Sequence, residues 1–116
     1  MPQYLISGYL PDNFDPSTQD EAIVEKIHAL NREMIAAGVR KFAGGLGPTH
    51  TLRAQPNGEL LLTDGPYLET KEYLAGFYVV DAETPQRAAE IAAMMPEAQL
   101  NGVEVRGVMD EAGLEM

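Results

Sequence analysis

The stretch "TDGPYLETKEYLAGFYVVDA" (63–82) organises the predicted fold, because it joins a charged turn directly to an apolar strand. Its second part, "GFYVVDA" (76–82), is rich in aromatic and β-branched residues, which favour strands. Its first part contains Gly65-Pro66, a pair typical of turns, since glycine accepts unusual backbone angles and proline has a fixed φ. The segment therefore predicts a turn that leads the chain into a strand of the main sheet.

The residues before this turn are predicted to form a β-hairpin. Two short runs, "HTLRAQ" and "ELLLTD", flank Pro56-Asn57-Gly58. Asn-Gly between such runs is a strong short-range signal for a hairpin, because both residues accept the positive φ angles of a tight turn. We predict a hairpin over residues 49–63, inserted between the two halves of the chain.

The first half of the chain is predicted to form a strand, a helix and a second strand. Gln3 to Leu10 is rich in strand-forming residues, and a capping box around Ser17 and Thr18 predicts a helix that begins near residue 18. Gly38 predicts the end of that helix. The second strand covers 39–43 and ends before "GGLGP". The helix has an apolar stripe spaced 4, 3, 4, 3, which consists of Ile23, Ile27, Leu30, Met34 and Ala37.

The second half repeats this order. Thr84-Pro85 predicts a helix start after the strand at 76–82, Pro96 limits the helix, and "GVEVRGVM" (102–109) alternates like a strand with one buried face. Two strand-helix-strand halves predict a single α+β domain over residues 1–116. The expected fold is a ferredoxin-like sandwich with an inserted β-hairpin and both helices on one face of an antiparallel sheet. The second predicted helix has a smaller apolar stripe, formed by Ala88, Ile91, Ala92 and Met95.

The uncovered face of such a sheet must be polar or be buried by a partner. Apolar residues stand at both alternating positions of "YLISGYL" and "FYVV", so both faces are predicted to be apolar. We therefore expect a homodimer whose sheets pack face to face and close an apolar cavity. A monomer with an apolar surface is the alternative, since apolar atoms are common on protein surfaces.

Composition excludes several classes of function. The net charge of −10, from 18 acidic and 8 basic residues, disfavours direct binding of nucleic acid. The absence of cysteine excludes disulfides, thiolate metal sites and cysteine nucleophiles, and it suits a reducing compartment. No apolar run reaches membrane-spanning length and the start lacks a signal peptide, so we expect a soluble cytoplasmic protein without a membrane partner.

The charged turn supplies the candidate site. Asp64 or Glu72 could act as a general base and Lys71 could stabilise negative charge, which is proton-transfer chemistry without a cofactor. His28 on the first helix and His50 before the hairpin are further candidates, although a lone histidine is more often structural. No His-x-His or His-x-x-x-His spacing fixes two metal ligands on one element, so no metal site is predicted.

The charged turn also resembles a known family. "DGPYLETKEYLAGFYVVD", with "AGGLGP" at 43–48 and "AAGV" at 36–39, is similar to the YCII-related, DGPF-motif proteins over nearly the whole chain. The resemblance implies a dimeric α+β barrel. Separately, we expect ligand-binding roles for the turn and for His50, which reaches the same cleft as Asp64 if the hairpin folds over it. The residues of the turn that we expect to contact a ligand are Gly65, Pro66, Tyr67 and Glu69, where Tyr67 replaces the phenylalanine of the motif.

The resemblance leaves the function open. Some members are proposed enzymes with a His-Asp pair in a cleft, and others are encoded beside extracytoplasmic-function sigma factors. His28 stands one residue from the family position, which here holds Ile27, and one residue turns a helical side chain by about 100°, so His28 is expected to face water. Two hypotheses follow: a cofactor-independent acid/base enzyme with a small-molecule site in the dimer cavity, or a non-catalytic ligand-binding or regulatory module.

Overall fold

The computed structural model describes residues 2–18, 20–65 and 71–109. A four-stranded antiparallel sheet has the order β2-β5-β1-β6, and a two-stranded sheet is formed by β3 and β4. The chain is thus α+β, as predicted, and the strands of both halves share one sheet. Their bounds are β1 Gln3–Pro11, β2 Arg40–Gly45, β3 His50–Ala54, β4 Leu60–Asp64, β5 Glu72–Asp81 and β6 Val103–Gly107.

Three helices accompany the sheet: α1 Glu21–Ala36, α2 Pro85–Ala93 and α3 Pro96–Leu100. Buried side chains from α1, α2, β1 and β5 form one core cluster, against which β6 packs with Val103 and Val105. The predicted stripe of α2 is entirely buried, and α1 contributes Met34. Burial of such side chains provides roughly 1.5–3 kcal/mol each, which is what holds the helices on this face of the sheet.

The beginning of α1 differs from the sequence prediction. Asp20 is the N-cap, and its side chain accepts a hydrogen bond from the Ala22 N–H at 2.8 Å. Ser17 and Thr18 lie instead in a short 3-10 turn, where both bond to Asp15. The predicted capping by Ser17 or Thr18 is therefore wrong, and the aspartate nearest the apolar stripe caps the helix.

Other boundaries agree more closely. Gly38, with φ of +72°, follows the end of α1, and Thr84 caps α2 by accepting from the Arg87 N–H at 3.1 Å. Strand β2 continues through Gly44 and Gly45, which were predicted to end it, and β5 begins at Glu72 rather than near residue 76. The five-residue α3 was not predicted, because Pro96 was interpreted only as a helix stop.

The face of the sheet opposite the helices is apolar. Leu5 and Phe42 both pair with Val79, so these three side chains lie on one face of the sheet. The neighbouring pair Ile6 and Tyr78 faces the helices, so this face, which also carries Phe77, is the opposite one. The rings of Phe42 and Phe77 lie 5.7 Å apart, and Phe42 is largely exposed. We call this surface the open face: Leu5, Phe42, Phe77 and Val79.

The hairpin β3-β4 projects from the domain. Its register, with Leu52 opposite Leu62, confirms the predicted hairpin. Four of its leucines are exposed, Leu62 by 65%. The radius of gyration is 16.6 Å, against roughly 13 Å for a compact domain of this length. We call this element the arm; its exposed leucines are Leu52, Leu60, Leu61 and Leu62. Within the described ranges, no helix is long and apolar enough to span a membrane.

Candidate ligand-binding cleft

Three glycines form a row across three neighbouring strands. Gly76 on β5 pairs with Gly8 on β1 and with Gly45 on β2. Residues that pair directly across antiparallel strands point to the same face, and this face is the one that carries Ile6 and Tyr78 toward the helices. The row therefore removes side chains from one stripe of an otherwise filled layer.

The space above this row differs from one glycine to the next. A Cβ atom at Gly45 would meet nothing within 4 Å, and one at Gly8 would meet only the Gly76 carbonyl oxygen at 3.9 Å. A Cβ at Gly76 would lie 3.0 Å from the Gly44 carbonyl oxygen, which is too close. Close strand packing therefore explains Gly76, whereas Gly8 and Gly45 border unfilled space.

That space is a cavity of about 420 Å³ between the sheet, α1 and α3. We call it the cleft. Its size lies within the range of ordinary small-molecule sites. Apolar side chains, among them Ile27 and Leu100, and a few polar ones line it together: His28, Asn31, Arg40, Tyr78 and Glu97.

A hydrogen-bond chain crosses the wall of the cleft from sheet to helix. The Tyr78 hydroxyl donates to Glu97 Oε2 at 2.5 Å, and Asn31 Nδ2 donates to the Ile27 carbonyl at 2.9 Å and more weakly to the Tyr78 oxygen at 3.5 Å. Burial, then the bond to Glu97, raises the pKa of Tyr78 to about 12. The hydroxyl therefore keeps its proton at neutral pH and serves as a donor to the carboxylate.

Two acceptors in the same wall have no partner among the described residues. Asn31 Oδ1 and Glu97 Oε1 are both buried and make no hydrogen bond. The contact with the Ile27 carbonyl identifies the donor as the Asn31 nitrogen, so the atom left without a partner is the oxygen. An unpaired buried polar group costs about 1–3 kcal/mol, so a donor that reached either oxygen would be stabilising.

Arg40 gives the cleft a positive charge. It is half-buried, and its charge opposes the rise in the pKa of Tyr78, so the guanidinium acts near that hydroxyl. Among the residues that the structure describes, no carboxylate lies within ion-pair distance of Arg40. A half-buried guanidinium without a counter-ion favours an anionic group.

The predicted site residues fall at separate places. His28 lines the cleft, as does Ile27, but its side chain remains exposed. His50 Nδ1 and Asp64 Oδ1 form a 3.0 Å pair at the base of the arm, where the side chains are 60% and 94% exposed. Asp64 and the cleft thus belong to different parts of the structure.

Lys71 and Glu72 line a second, shallower cavity beside Tyr9, whose hydroxyl donates to Glu104 at 3.3 Å. Gly65 has φ of +89°, and its carbonyl accepts a hydrogen bond from the Thr51 hydroxyl at 2.6 Å, so it joins the turn to the arm. Three predicted ligand-binding residues lie outside the described residues: Pro66, Tyr67 and Glu69.

Apart from His28, the polar residues of the cleft were missed by sequence reasoning. Tyr78 lies in a strand that reads as ordinary core, and Glu97 lies on the unpredicted α3. The available signal was the glycines, since Gly8 and Gly45 interrupt strands without supplying a turn. In the ranges that the structure describes, no three histidine or acidic side chains are placed to hold a metal ion.

Comparison with known proteins gives a family. The sequence model of the YCII-related domain matches residues 2–112. An uncharacterised protein of Rhizobium meliloti (strain 1021) is 35% identical over 83 residues, which is 69% of this chain and 66% of that protein. The match thus spans slightly less than two thirds of that relative. Because the family match covers nearly all of the sequence, the chain belongs to the YCII-related domain family.

Proposed function

We propose that this protein binds a small molecule in the cleft. The observation that carries the proposal is the glycine row, because Gly8 and Gly45 have space for a side chain yet carry none. Neither has a positive φ, so the backbone does not demand glycine there. Gly45 is exposed and Gly8 is half-buried, so a side chain at either position would enter the open cleft. Glycine at both positions leaves that room for a ligand, which supports the proposal.

The polar groups of the cleft support binding. The Tyr78–Glu97 hydrogen bond fixes one wall, while Arg40 and the unpaired acceptors of Asn31 and Glu97 leave recognition groups unused. A mostly apolar cavity with a few convergent polar groups is typical of ligand sites. Binding without chemistry is the function that this arrangement favours.

Proton transfer at the base of the arm is a second candidate. A carboxylate that hydrogen-bonds an imidazole can orient it as a general base, and the 3.0 Å contact of His50 with Asp64 has this geometry. Both side chains are exposed, so only a covering chain would exclude water from a substrate there. Lys71 and Glu72 line another cavity and take no part in this candidate.

The assembly that we propose is a homodimer. The strand order β2-β5-β1-β6 suits a ferredoxin-like sandwich, and pairing of two open faces would produce a dimeric α+β barrel. The exposed Phe42 and the exposed leucines of the arm support this, since large exposed apolar side chains often mark protein–protein contacts. The inter-sheet cavity would lie on the opposite side of the sheet from the cleft.

The test is a thermal-shift screen of a metabolite library against three proteins. Gly45→Val fills the cleft, and Gly47→Val is a matched control, because a Cβ at Gly47 also meets nothing within 4 Å but the residue does not line the cleft. Compounds that bind in the cleft should raise the melting temperature of the wild type and of Gly47→Val, and not that of Gly45→Val.

The same screen with Asp64→Ala separates the two candidates. Stabilisation that Asp64→Ala loses and Gly45→Val retains would move the site to the arm. A library without any compound whose effect depends on Gly45 would contradict the proposal of a ligand in the cleft.

A further inference from the structure

The hydrogen-bonding groups of the cleft define the kind of ligand that it takes. Glu97 uses Oε2 for the Tyr78 hydroxyl and leaves Oε1 without a partner, and Asn31 leaves Oδ1. Both free groups are acceptors, so the ligand must supply donors. One of them belongs to a carboxylate, which favours a positively charged donor over a neutral one.

A ligand reaches these oxygens only if the side chains of Asn31 and Glu97 rotate. Both are sealed in the wall of the cleft, and each belongs to a terminal amide or carboxylate group. The terminal torsions of Asn and Glu are broad, so a turn can bring either oxygen toward the cavity, and the hydrogen bonds to the ligand would have to offset those that the turn weakens at Ile27 and Tyr78. Pairing with a ligand then removes the cost of leaving the acceptors unsatisfied.

Arg40 calls for the opposite charge. Its guanidinium lines the same cleft and has no carboxylate partner within the described part of the chain. Arginine presents a planar fork of donors that matches a carboxylate in a bidentate manner. The cleft therefore contains one unpaired cation and one incompletely paired anion.

Resting on the proposed function, we infer that the ligand is a small zwitterion of the amino acid type. Its carboxylate pairs with Arg40, its ammonium group donates to Glu97 and Asn31, and its apolar part lies against Ile27 and Leu100. An ammonium has three donors, which is enough for the two acceptors.

The charge of the whole chain also favours a zwitterion. A net charge of −10 repels a free anion at long range, so a phosphate or a dicarboxylate would approach against the field and would face Glu97 on arrival. A simple amine would be attracted, but it would leave Arg40 unpaired and would add a second positive charge beside it. A molecule without net charge avoids both penalties.

The experiment compares matched ligands on the wild-type protein by titration calorimetry. The probes are the twenty standard L-amino acids and, for the strongest binder, its des-amino acid and its decarboxylated amine. Each analogue loses charged hydrogen bonds worth about 1.5–3 kcal/mol, so each should bind about 10- to 100-fold more weakly. Equal affinity of the amino acid and either analogue would overturn the inference.

Variants assign each charge to its partner. Glu97→Gln removes the partner of the ammonium group, so it should reduce the preference for the amino acid over the des-amino acid. Arg40→Met removes the partner of the carboxylate, so it should reduce the preference for the amino acid over the amine. The matched controls Glu83→Gln and Arg53→Met change exposed residues outside the cleft and should keep both preferences. Circular dichroism checks that each variant is folded. The comparison of ligands on the wild-type protein tests the inference even if a variant fails to fold.

The outcomes separate this inference from the proposed function. If the compounds whose stabilising effect depends on Gly45 lack either an ammonium or an anionic group, the zwitterion is wrong and the ligand site stands. If amino acids bind with the same affinity to wild type and to Gly45→Val, the zwitterion inference and the proposed ligand site in the cleft are both wrong.

Discussion

Tyr78 on the sheet and Glu97 on α3 are joined by a 2.5 Å hydrogen bond from the hydroxyl to the carboxylate. The bond attaches a helix of only five residues to β5, and it closes one wall of the cleft. A helix this short has little stability of its own, so its position depends on such tertiary contacts.

Tyr78→Phe should lower the free energy of unfolding by about 1–3 kcal/mol, because it leaves the partly buried carboxylate of Glu97 without a donor. Urea unfolding measures the change. The control is Tyr9→Phe, which removes an exposed hydroxyl bonded to Glu104 at 3.3 Å and should cost less than about 0.5 kcal/mol. Equal losses in the two variants would contradict a special role for Tyr78.

Alkaline pH should destabilise the protein through the same tyrosine. Its pKa is raised from 10.0 to about 12 in the folded state, so the unfolded chain releases the proton first. The stabilising contribution is complete below pH 10 and is lost as the pH rises toward about 12. Melting temperatures recorded from pH 9 to 12 should fall more steeply for the wild type than for Tyr78→Phe.

The glycines of the row should respond differently to alanine. Gly76→Ala places a Cβ 3.0 Å from the Gly44 carbonyl and should cost about 1–3 kcal/mol by pushing β2 away from β5. Gly8→Ala meets only ordinary contact and should be neutral or stabilising by up to about 1 kcal/mol. Urea unfolding of both variants tests the order, and a larger loss at Gly8 would contradict it.

The start of α1 can be tested with two capping residues. Asp20→Ala removes the observed N-cap and should cost about 0.5–2 kcal/mol. Thr18→Ala removes only a hydroxyl bonded to the Asp15 carbonyl, so it should cost clearly less. The reverse order in thermal or urea unfolding would restore the sequence-based start near residue 18.

The proposed dimer predicts a mass of about twice 12.6 kDa by light scattering. Phe42→Glu on the open face and Leu62→Glu on the arm should each shift the protein toward the monomer, because both bury a charge in an apolar interface. Ile35→Glu is the control, since Ile35 is an equally exposed apolar residue on α1. A wild type that measures about 12.6 kDa would refute the dimer.

The sequence predicted what depends on periodic patterns. The strands, the hairpin at Asn57-Gly58 and the buried stripe of α2 follow from alternation, turn residues and helical spacing, which act locally. The cleft depends instead on how β1, β5 and β2 are aligned with one another. Gly8, Gly45 and Gly76 are widely separated in sequence, and only strand pairing brings them into one row.

Charge patterns were less informative than pairing. The cluster around Asp64, Lys71 and Glu72 appeared to be one site, yet Asp64 ends β4 and Glu72 begins β5, which belong to different sheets. Residues close in sequence are separated when their strands belong to different sheets. Glu97 was overlooked for the converse reason, because its partner Tyr78 lies 19 residues away.

The strands below the cleft are also the strands of the open face. Gly44 and Gly45 are neighbours on β2, and the first lies beside the Phe77 ring on one side while the second borders the cleft on the other. A single peptide layer therefore separates a bound ligand from the aromatic pair that would meet a second chain. Ligand binding in the cleft and dimerisation through the open face would therefore act on the same backbone layer. A ligand titration should be accompanied by a measurement of the oligomeric state.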